Sequence, residues 1–374
     1  MTSNVNTESS ISYYSLTKLD TQKAHSIQII NNCNSFSRIG YKVKLFTSYS
    51  KSSKINWNVK TSKNILIKKM IYYPFKYNAI INALLGYIYF KFDSNRIFYT
   101  RNHFFAYLAS FNKNKIICLE LHQTFKKAPT QNKIFLLILR KISKRKNLIL
   151  IVISNQLKKY LEESGIKKNI HILHDGFDHL IKINKPTNNN KKMLAMYTGS
   201  LTQNKGLVNI YKLAKEFQHV KFHIIGDKNK TDRIDIIHKM EKMDNIFFLG
   251  YIDHESIGNY LASADILLLL PTEEGAYNDV TSPLKMFEYM NSGVAILATN
   301  LASLKEVLCH KKNSILAKDT FDDIVDKFKL MLENKNLRME LSSKAAKDVK
   351  NFSWEKRVLK IKKIVDKKLE ALKL

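Results

Sequence analysis

Residues Thr281 to Gly293 read TSPLKMFEYMNSG and place a lysine where a helix should begin. Ser282 before Pro283 is a helix-start pattern: serine as N-cap, proline at the first helical position, where its missing N–H costs nothing. Gly293 supplies a C-terminal stop. Lys285 then falls at the third helical position, with Glu288 one turn later on the same face. A cation beside the positive pole of a helix dipole is disfavoured by roughly 0.3–1 kcal/mol. A bound anion would reverse that penalty, because the free N–H groups of a first turn and an ammonium both attract phosphate. The alternative is a plain surface pair across one turn, worth about 0.2–0.5 kcal/mol.

A second stretch has matching chemistry. MYTGSLTQNKGL, residues 196–207, turns through Gly199 into a loop ending at Lys205–Gly206, and LVNIYKLAKEF follows with helical spacing. A glycine lets backbone approach a diphosphate, and a lysine at the next helix start neutralises it. Neither G-x-x-x-x-G-K-[ST] nor G-x-G-x-x-G is present, so neither a P-loop nor a nicotinamide dinucleotide site is indicated.

The elements that must position these residues are legible in the apolar runs. MLAMYTG, KFHIIG, NIFFLG, DILLLLP, VAILAT and SILA have strand length and alternate with amphipathic stretches such as SIGNYLASA. That alternation predicts a parallel sheet covered on both faces. The first half repeats it: strands at YKVKLFTS, NILIKKMIYY, RIFYTR, KIICLEL, NLILIVIS and NIHILHDG, helices at AHSIQIINNCNSFSRI and YNAIINALLGYIYFKF. The second of these helices reads as core rather than as a membrane-surface element. Polar INKPTNNNKK, residues 183–192, reads as a linker, and EKRVLKIKKIVDKKLEALKL as one long amphipathic helix. The expectation is an α/β protein: a doubly wound domain over 1–182, a second over 193–352, a cleft between them, and a last helix over 353–374. Ligands of such sheets bind beyond the carboxyl ends of the strands.

Composition narrows the function classes. Hydrophobic content of 45% and charged content of 25% belong to a folded chain. Cys33, Cys118 and Cys309 lie far apart with no C-x-x-C pair, which indicates neither zinc nor a disulfide framework and fits reduced cytosol. The first twenty residues lack a basic-then-apolar leader pattern, and no apolar run approaches membrane-span length. The formal charge is +30. Residues 1–185 hold 31 Lys/Arg against 8 Asp/Glu, while residues 186–374 hold 31 against 24. A genome-wide lysine bias would act on both halves alike. The first half therefore has its own reason to be basic: nucleic acid, an anionic membrane surface, an acidic substrate, or simply solvated surface lysine. No helix-turn-helix, zinc finger or RNP-type signature accompanies it, so no nucleic-acid partner is expected.

In this order and spacing, YTGSLTQNKG, FFLGYID and SPLKMFEYMNSG resemble the second domain of GT-B-fold retaining glycosyltransferases of family 4, the glycosyl transferases group 1. HILHDGFD, FHIIGDKN and NFSWEKR resemble further segments of that family, so the likeness runs from residue 171 to about 360. It implies two Rossmann-like domains facing a cleft, the first for the acceptor and the second for a nucleotide-sugar, with the last helix crossing back to the first domain. It further implies that Lys205 and Lys285 meet the diphosphate, that Gly199, Thr281 and Ser282 lend backbone to the donor site, and that Glu288 meets the ribose hydroxyls. Two positions depart from the family. Val280 stands where many relatives carry a first glutamate, leaving Asp279 as its substitute, and Ser200 stands where many carry an arginine. In the first domain the likeness makes His122 the active-site histidine, with Glu120 and Arg101 beside it and Lys23 and His25 as acceptor contacts; an ordinary Arg101–Glu120 ion pair is the competing reading.

The implied reaction is retaining transfer of a sugar from a nucleoside-diphosphate sugar to a hydroxyl of a glycan or lipid-linked acceptor, as in cell-envelope polysaccharide or lipopolysaccharide synthesis. The enzyme would work in the cytoplasm, peripherally on the membrane's cytoplasmic face. No D-x-D motif is present, so neither a metal nor a cofactor is expected. The departures at Val280 and Ser200 also allow a catalytically degenerate partner subunit.

Overall fold

The computed structural model describes residues 9–19, 24–48, 62, 64–73, 78–126, 128–177, 192–253, 256–274 and 279–373. Lys23 and all of the expected linker except Lys192 lie outside the described residues. The chain forms two compact units, one of residues 1–174 with 354–374 and one of residues 175–353.

The first unit is a seven-stranded parallel sheet: β1 (Ser10–Lys18), β2 (Lys42–Ser48), β3 (Ile65–Lys69), β4 (Ile97–Thr100), β5 (Ile116–Leu121), β6 (Leu148–Val152) and β7 (Ile170–Ile172), in spatial order 3-2-1-4-5-6-7. Its helices are α1 (Ala24–Arg38), α2 (Asn78–Lys91), α3 (His103–Ala109), α4 (Pro129–Ile142) and α5 (Asn155–Glu163). α2 buries Asn82, Ala83, Gly86 and Phe90 and leaves Ile80, Leu84 and Ile88 exposed, so its outer half is not core, contrary to the expectation from its sequence.

The sequence reading places no strand before residue 41, yet β1 is an interior strand, paired with β2 and β4. Its run SISYYSLTK looks polar because the serines have partners the sequence hides: Ser12 Oγ donates to buried Asp93 at 2.5 Å and Ser10 Oγ to Asn95 at 2.9 Å. The alternation of a strand sends Tyr13 to one face, stacked on Tyr99, and Tyr14 to the other, stacked on Phe46 and Phe105.

The second unit is a six-stranded parallel sheet: β8 (Leu194–Thr198), β9 (Lys221–Ile225), β10 (Ile246–Gly250), β11 (Ile266–Leu269), β12 (Ala295–Thr299) and β13 (Ile315–Ala317), in order 10-9-8-11-12-13. Around it lie α6 (Leu207–Glu216), α7 (Ile234–Glu241), α8 (Ile257–Ala262), α9 (Leu284–Ser292), α10 (Phe321–Glu333) and α11 (Lys335–Asp348). Period-two alternation along β8 feeds a core on each face: Ala195 and Tyr197 join one, Leu194 and Met196 the other.

The last helix, α12 (Trp354–Leu372), belongs to the first unit and packs on α1. Its buried stripe is Trp354, Val358, Ile361 and Val365, the spacing of one helical face, with a buried arginine, Arg357, set into it. The guanidinium donates to Glu120 Oε1 at 2.8 Å, to Asn32 Oδ1 at 2.9 Å and to the His174 carbonyl at 3.0 Å. Removing one partner of such a buried pair costs about 3–5 kcal/mol. Arg357→Met should therefore lower the unfolding free energy by several kcal/mol in denaturant titration, and the double variant Arg357→Met/Glu120→Gln should recover part of it; a single variant as stable as the parent would disprove the pairing.

Candidate active site

β8 ends at Thr198, and the backbone there is fixed from three sides. The Thr198 N–H and hydroxyl both donate to the Tyr289 hydroxyl of α9, at 2.9 and 3.2 Å. Gly199 N–H donates to the Ile225 carbonyl at 2.9 Å. Lys285 Nζ donates to the Thr198 carbonyl at 3.0 Å and lies 4.1 Å from the centroid of the Tyr197 ring. Gly199 has φ +127°, and a side chain added there would begin 3.2 Å from Lys285 Nζ. The turn that follows carries Lys205 and then Gly206, whose φ is +88°; a Cβ at Gly206 would meet the Leu270 carbonyl at 2.2 Å. Both glycines are therefore required by geometry, one for the lysine's approach and one for the turn's seat on the sheet.

Two lysines share this place. Burial and then the neighbouring Lys205 charge pull the Lys285 ammonium from 10.5 down to about 7, against the opposing pull of Glu288 one turn on. Burial also lowers Lys205. Two ammonium groups held together in a desolvated spot destabilise one another until an anion arrives between them. The helix start adds to this, since a first turn leaves N–H groups without intrahelical acceptors.

That helix start differs from the sequence expectation. Pro283 occupies the N-cap position with extended backbone, φ −70° and ψ 128°, and Lys285 is the second helical residue rather than the third. Ser282 does not cap the helix. Its hydroxyl accepts the Asp175 N–H at 3.2 Å, so it ties the loop to the start of the unit. Gly293 closes α9 in the left-handed region as expected, at φ 68°. Asp279 and Thr281 are partly exposed on the loop leading in, whereas Val280 is buried. The unit thus brings Gly199, Lys205, Lys285 and Glu288 to one edge of the sheet, with Asp279, Thr281 and Ser282 in the adjoining loop.

The remaining candidates lie in the first unit, around a cavity of about 280 Å³ lined by Ser15, His25, Arg101, His103, Glu120 and His122 among others. Glu120 does not pair with Arg101. Its partners are Arg357, the Tyr99 hydroxyl, Gln28 Nε2 at 3.3 Å and His122 Nε2 at 2.5 Å, while Arg101 donates to Gln28 Oε1 at 2.8 Å. Burial alone would raise the Glu120 carboxyl, but the Arg357 guanidinium and the His122 hydrogen bond hold it below the usual carboxylate range. Burial and then Arg101 push His122 down to about 4, despite Glu120. His122 is therefore a neutral imidazole whose Nε2–H donates to a carboxylate, a fixed tautomer at a cavity wall.

Sequence reasoning missed Tyr289, Gln28 and Arg357. Tyr289 stands four residues after Lys285, on the same helical face, which was a usable signal. Arg357 on the apolar stripe of α12 was another, since a buried arginine needs a carboxylate.

Residues 178–348 match the family described as Glycosyl transferases group 1. The uncharacterized glycosyltransferase MJ1178 of Methanocaldococcus jannaschii is 22% identical over 218 residues, and the match spans 58% of this chain and 59% of that protein. Sucrose-phosphate synthase from Thermosynechococcus elongatus is similar in structure with a TM-score of 0.79 at 14% identity, covering 97% of this chain and 100% of that one. Anabaena Alr3699/HepE in complex with UDP and glucose gives a TM-score of 0.72 at 14% identity, over 95% and 99% of the two chains. The apo form of the lipopolysaccharide outer core galactosyltransferase WaaB gives 0.70 at 14% identity, over 96% and 100%. The fold is GT-B. Residues 178–348 are a glycosyl transferases group 1 domain, of family 4.

The lysine ionisation sets a pH dependence. The unfolded amine keeps its proton to about pH 10.5 and the folded one only to about 7. Between those values the unfolded chain binds more protons, so the stability of the ligand-free protein rises with pH across that window, and the cost is fully present below about 7. A bound diphosphate would hold the proton on. Titration calorimetry should show nucleoside-diphosphate affinity falling above about pH 7 by up to ~10-fold per pH unit, with that limb absent in Lys285→Arg; a wild-type profile without the limb would remove Lys285 from the site.

Proposed function

We propose that this chain moves a sugar from a nucleoside-diphosphate sugar to a hydroxyl of a glycan or lipid-linked acceptor, with retention at the anomeric carbon. The observation that carries this reading is the pair Lys205 and Lys285, both lowered by burial and brought together at the end of β8. When the glycosidic carbon–oxygen bond breaks, the shared electron pair leaves on the diphosphate, and negative charge grows on its inner phosphate. Positive groups already in place stabilise that charge without reorganising. Lys205, Lys285 and the first turn of α9 are those groups in this reading, with Gly199, Asp279, Thr281 and Ser282 lining the donor and Glu288 accepting from the ribose hydroxyls.

Retention without a protein nucleophile requires attack from the face the diphosphate leaves, with the departing phosphate taking the acceptor's proton. Neutral His122 suits a position near the reacting sugar, since it adds no competing charge. Arg101 and His25 stand at the same cavity and suit an acceptor bearing an anionic group. HepE, similar in fold, binds UDP and glucose, and WaaB acts on lipopolysaccharide outer core. These support a nucleoside-diphosphate donor and an acceptor in cell-envelope glycan assembly on the cytoplasmic side. No metal has a role in this scheme, so EDTA should leave transfer intact.

A thermal-shift panel of nucleoside diphosphates and their sugars tests the donor reading. Ligand at ~100 times its dissociation constant should add about 2.7 kcal/mol. One base should stabilise the wild type, and Lys285→Ala and Glu288→Ala should each lose that gain. No shift with any nucleotide in a folded sample would overturn the reading.

A further inference from the structure

β8 and β11 part before β8 ends. Their ladder pairs Ala195 with Ile266 and Met196 with Leu267 and goes no further, while on its other side β8 stays paired with β9 as far as Thr198 and Ile225. Leu194, at the start of β8, gives its carbonyl to the Asp265 N–H, on the β11 side, at 2.8 Å. Alternate residues of a parallel strand direct N–H and C=O to the same neighbour, so Thr198 directs both toward β11 as well. No described strand meets them there.

α9 supplies the partners from one face. Lys285 and Tyr289 stand one helical turn apart. The Tyr289 hydroxyl accepts the Thr198 N–H at 2.9 Å, and Lys285 Nζ donates to the Thr198 carbonyl at 3.0 Å. Two side chains of a helix thus continue the ladder at Thr198 in place of a strand. They differ in their surroundings. Tyr289 is fully buried, and among the described residues its hydroxyl bonds to Thr198 alone, taking the Thr198 hydroxyl as well as the N–H. Lys285 instead faces the Lys205 ammonium, the Tyr197 ring and the Glu288 carboxylate.

We propose that Tyr289 is a positioning residue that acts through Lys285: by holding the Thr198 N–H it keeps the Thr198 carbonyl under the ammonium, and so keeps that ammonium at the end of β8. The inference rests on the diphosphate reading given above, in which Tyr289 itself touches no ligand. When Lys285 leaves the carbonyl for a phosphate oxygen, one of the two helix-to-strand bonds opens and the phenol bond keeps the strand end in register. Without the hydroxyl, a buried N–H and a buried threonine hydroxyl both lose their partner, which favours a turn of the backbone at Thr198 toward other acceptors. The carbonyl moves with that turn, and the lysine loses its seat.

Tyr289→Phe keeps the ring in its core and removes the hydroxyl. Calorimetry with UDP, GDP and ADP on the full chain compares the wild type, Tyr289→Phe, Lys285→Met and the double variant. For whichever nucleotide binds, Tyr289→Phe should weaken affinity roughly ten-fold. In the Lys285→Met background the same change should have no further effect, because the hydroxyl acts through the lysine. An equal loss in both backgrounds, or unchanged affinity in Tyr289→Phe, would overturn the proposal alone. No heat from the wild type with any of the three would count against the diphosphate reading itself. The ligand-free protein gives a second readout that needs no nucleotide. An amine without the Thr198 carbonyl loses an acceptor that favours its charged form, so the rise of stability with pH, which starts at about 7 in the wild type, should start lower in Tyr289→Phe. Denaturant titrations whose rise starts at the same pH in both proteins would assign Tyr289 to packing and overturn the proposal.

Discussion

The carboxyl end of β8 rests on one desolvated cation. Lys285 is held on the Thr198 carbonyl, over the Tyr197 ring and within reach of the Lys205 field. A buried ammonium is costly, and the structure around it serves to keep it in place. Tyr289 fixes Thr198, Gly199 leaves room for the amine, Gly206 lets the Lys205 turn sit on the sheet, and α9 projects the lysine from its first turn. Each of these would be an odd choice for stability alone. In the proposed function, together they make a place whose energy falls when a diphosphate enters.

The first unit solves the opposite problem, a buried anion. Glu120 is surrounded by donors from four elements: Gln28 of α1, Tyr99 of β4, His122 beyond β5 and Arg357 of α12. Arg357 ties the chain's last helix to this carboxylate, so α12 serves the cavity's electrostatics as well as the core. Beside this carboxylate, burial and the neighbouring Arg101 keep His122 neutral despite the pull of Glu120.

What the sequence revealed follows the range of the interactions. The strand–glycine–loop–helix units of the second half are local, and their apolar runs carry the period of a covered parallel sheet, so Gly199, Lys205, Lys285 and Glu288 were legible as a group. β1 was not, because its serines are satisfied by Asp93 and Asn95, eighty or more residues away, and hydropathy sees only their polarity. The start of α9 was misplaced because the Ser282 hydroxyl has a competing partner, the Asp175 N–H, 107 positions back. Glu120 and Arg357 are 237 residues apart, and only the fold pairs them. The outward half of α2 was misread as core because its residues are apolar on every side, and periodicity alone does not say which side is covered.

In the proposed function, Lys205 and Lys285 receive a diphosphate at the end of β8. A crystal structure of the full chain grown with the stabilising nucleoside diphosphate tests it most directly. Phosphate oxygens are expected within hydrogen-bond distance of both Nζ atoms, ahead of the first turn of α9, and the ribose within reach of Glu288. A nucleotide bound elsewhere, with Lys285 Nζ still bonded only to the Thr198 carbonyl, would contradict it.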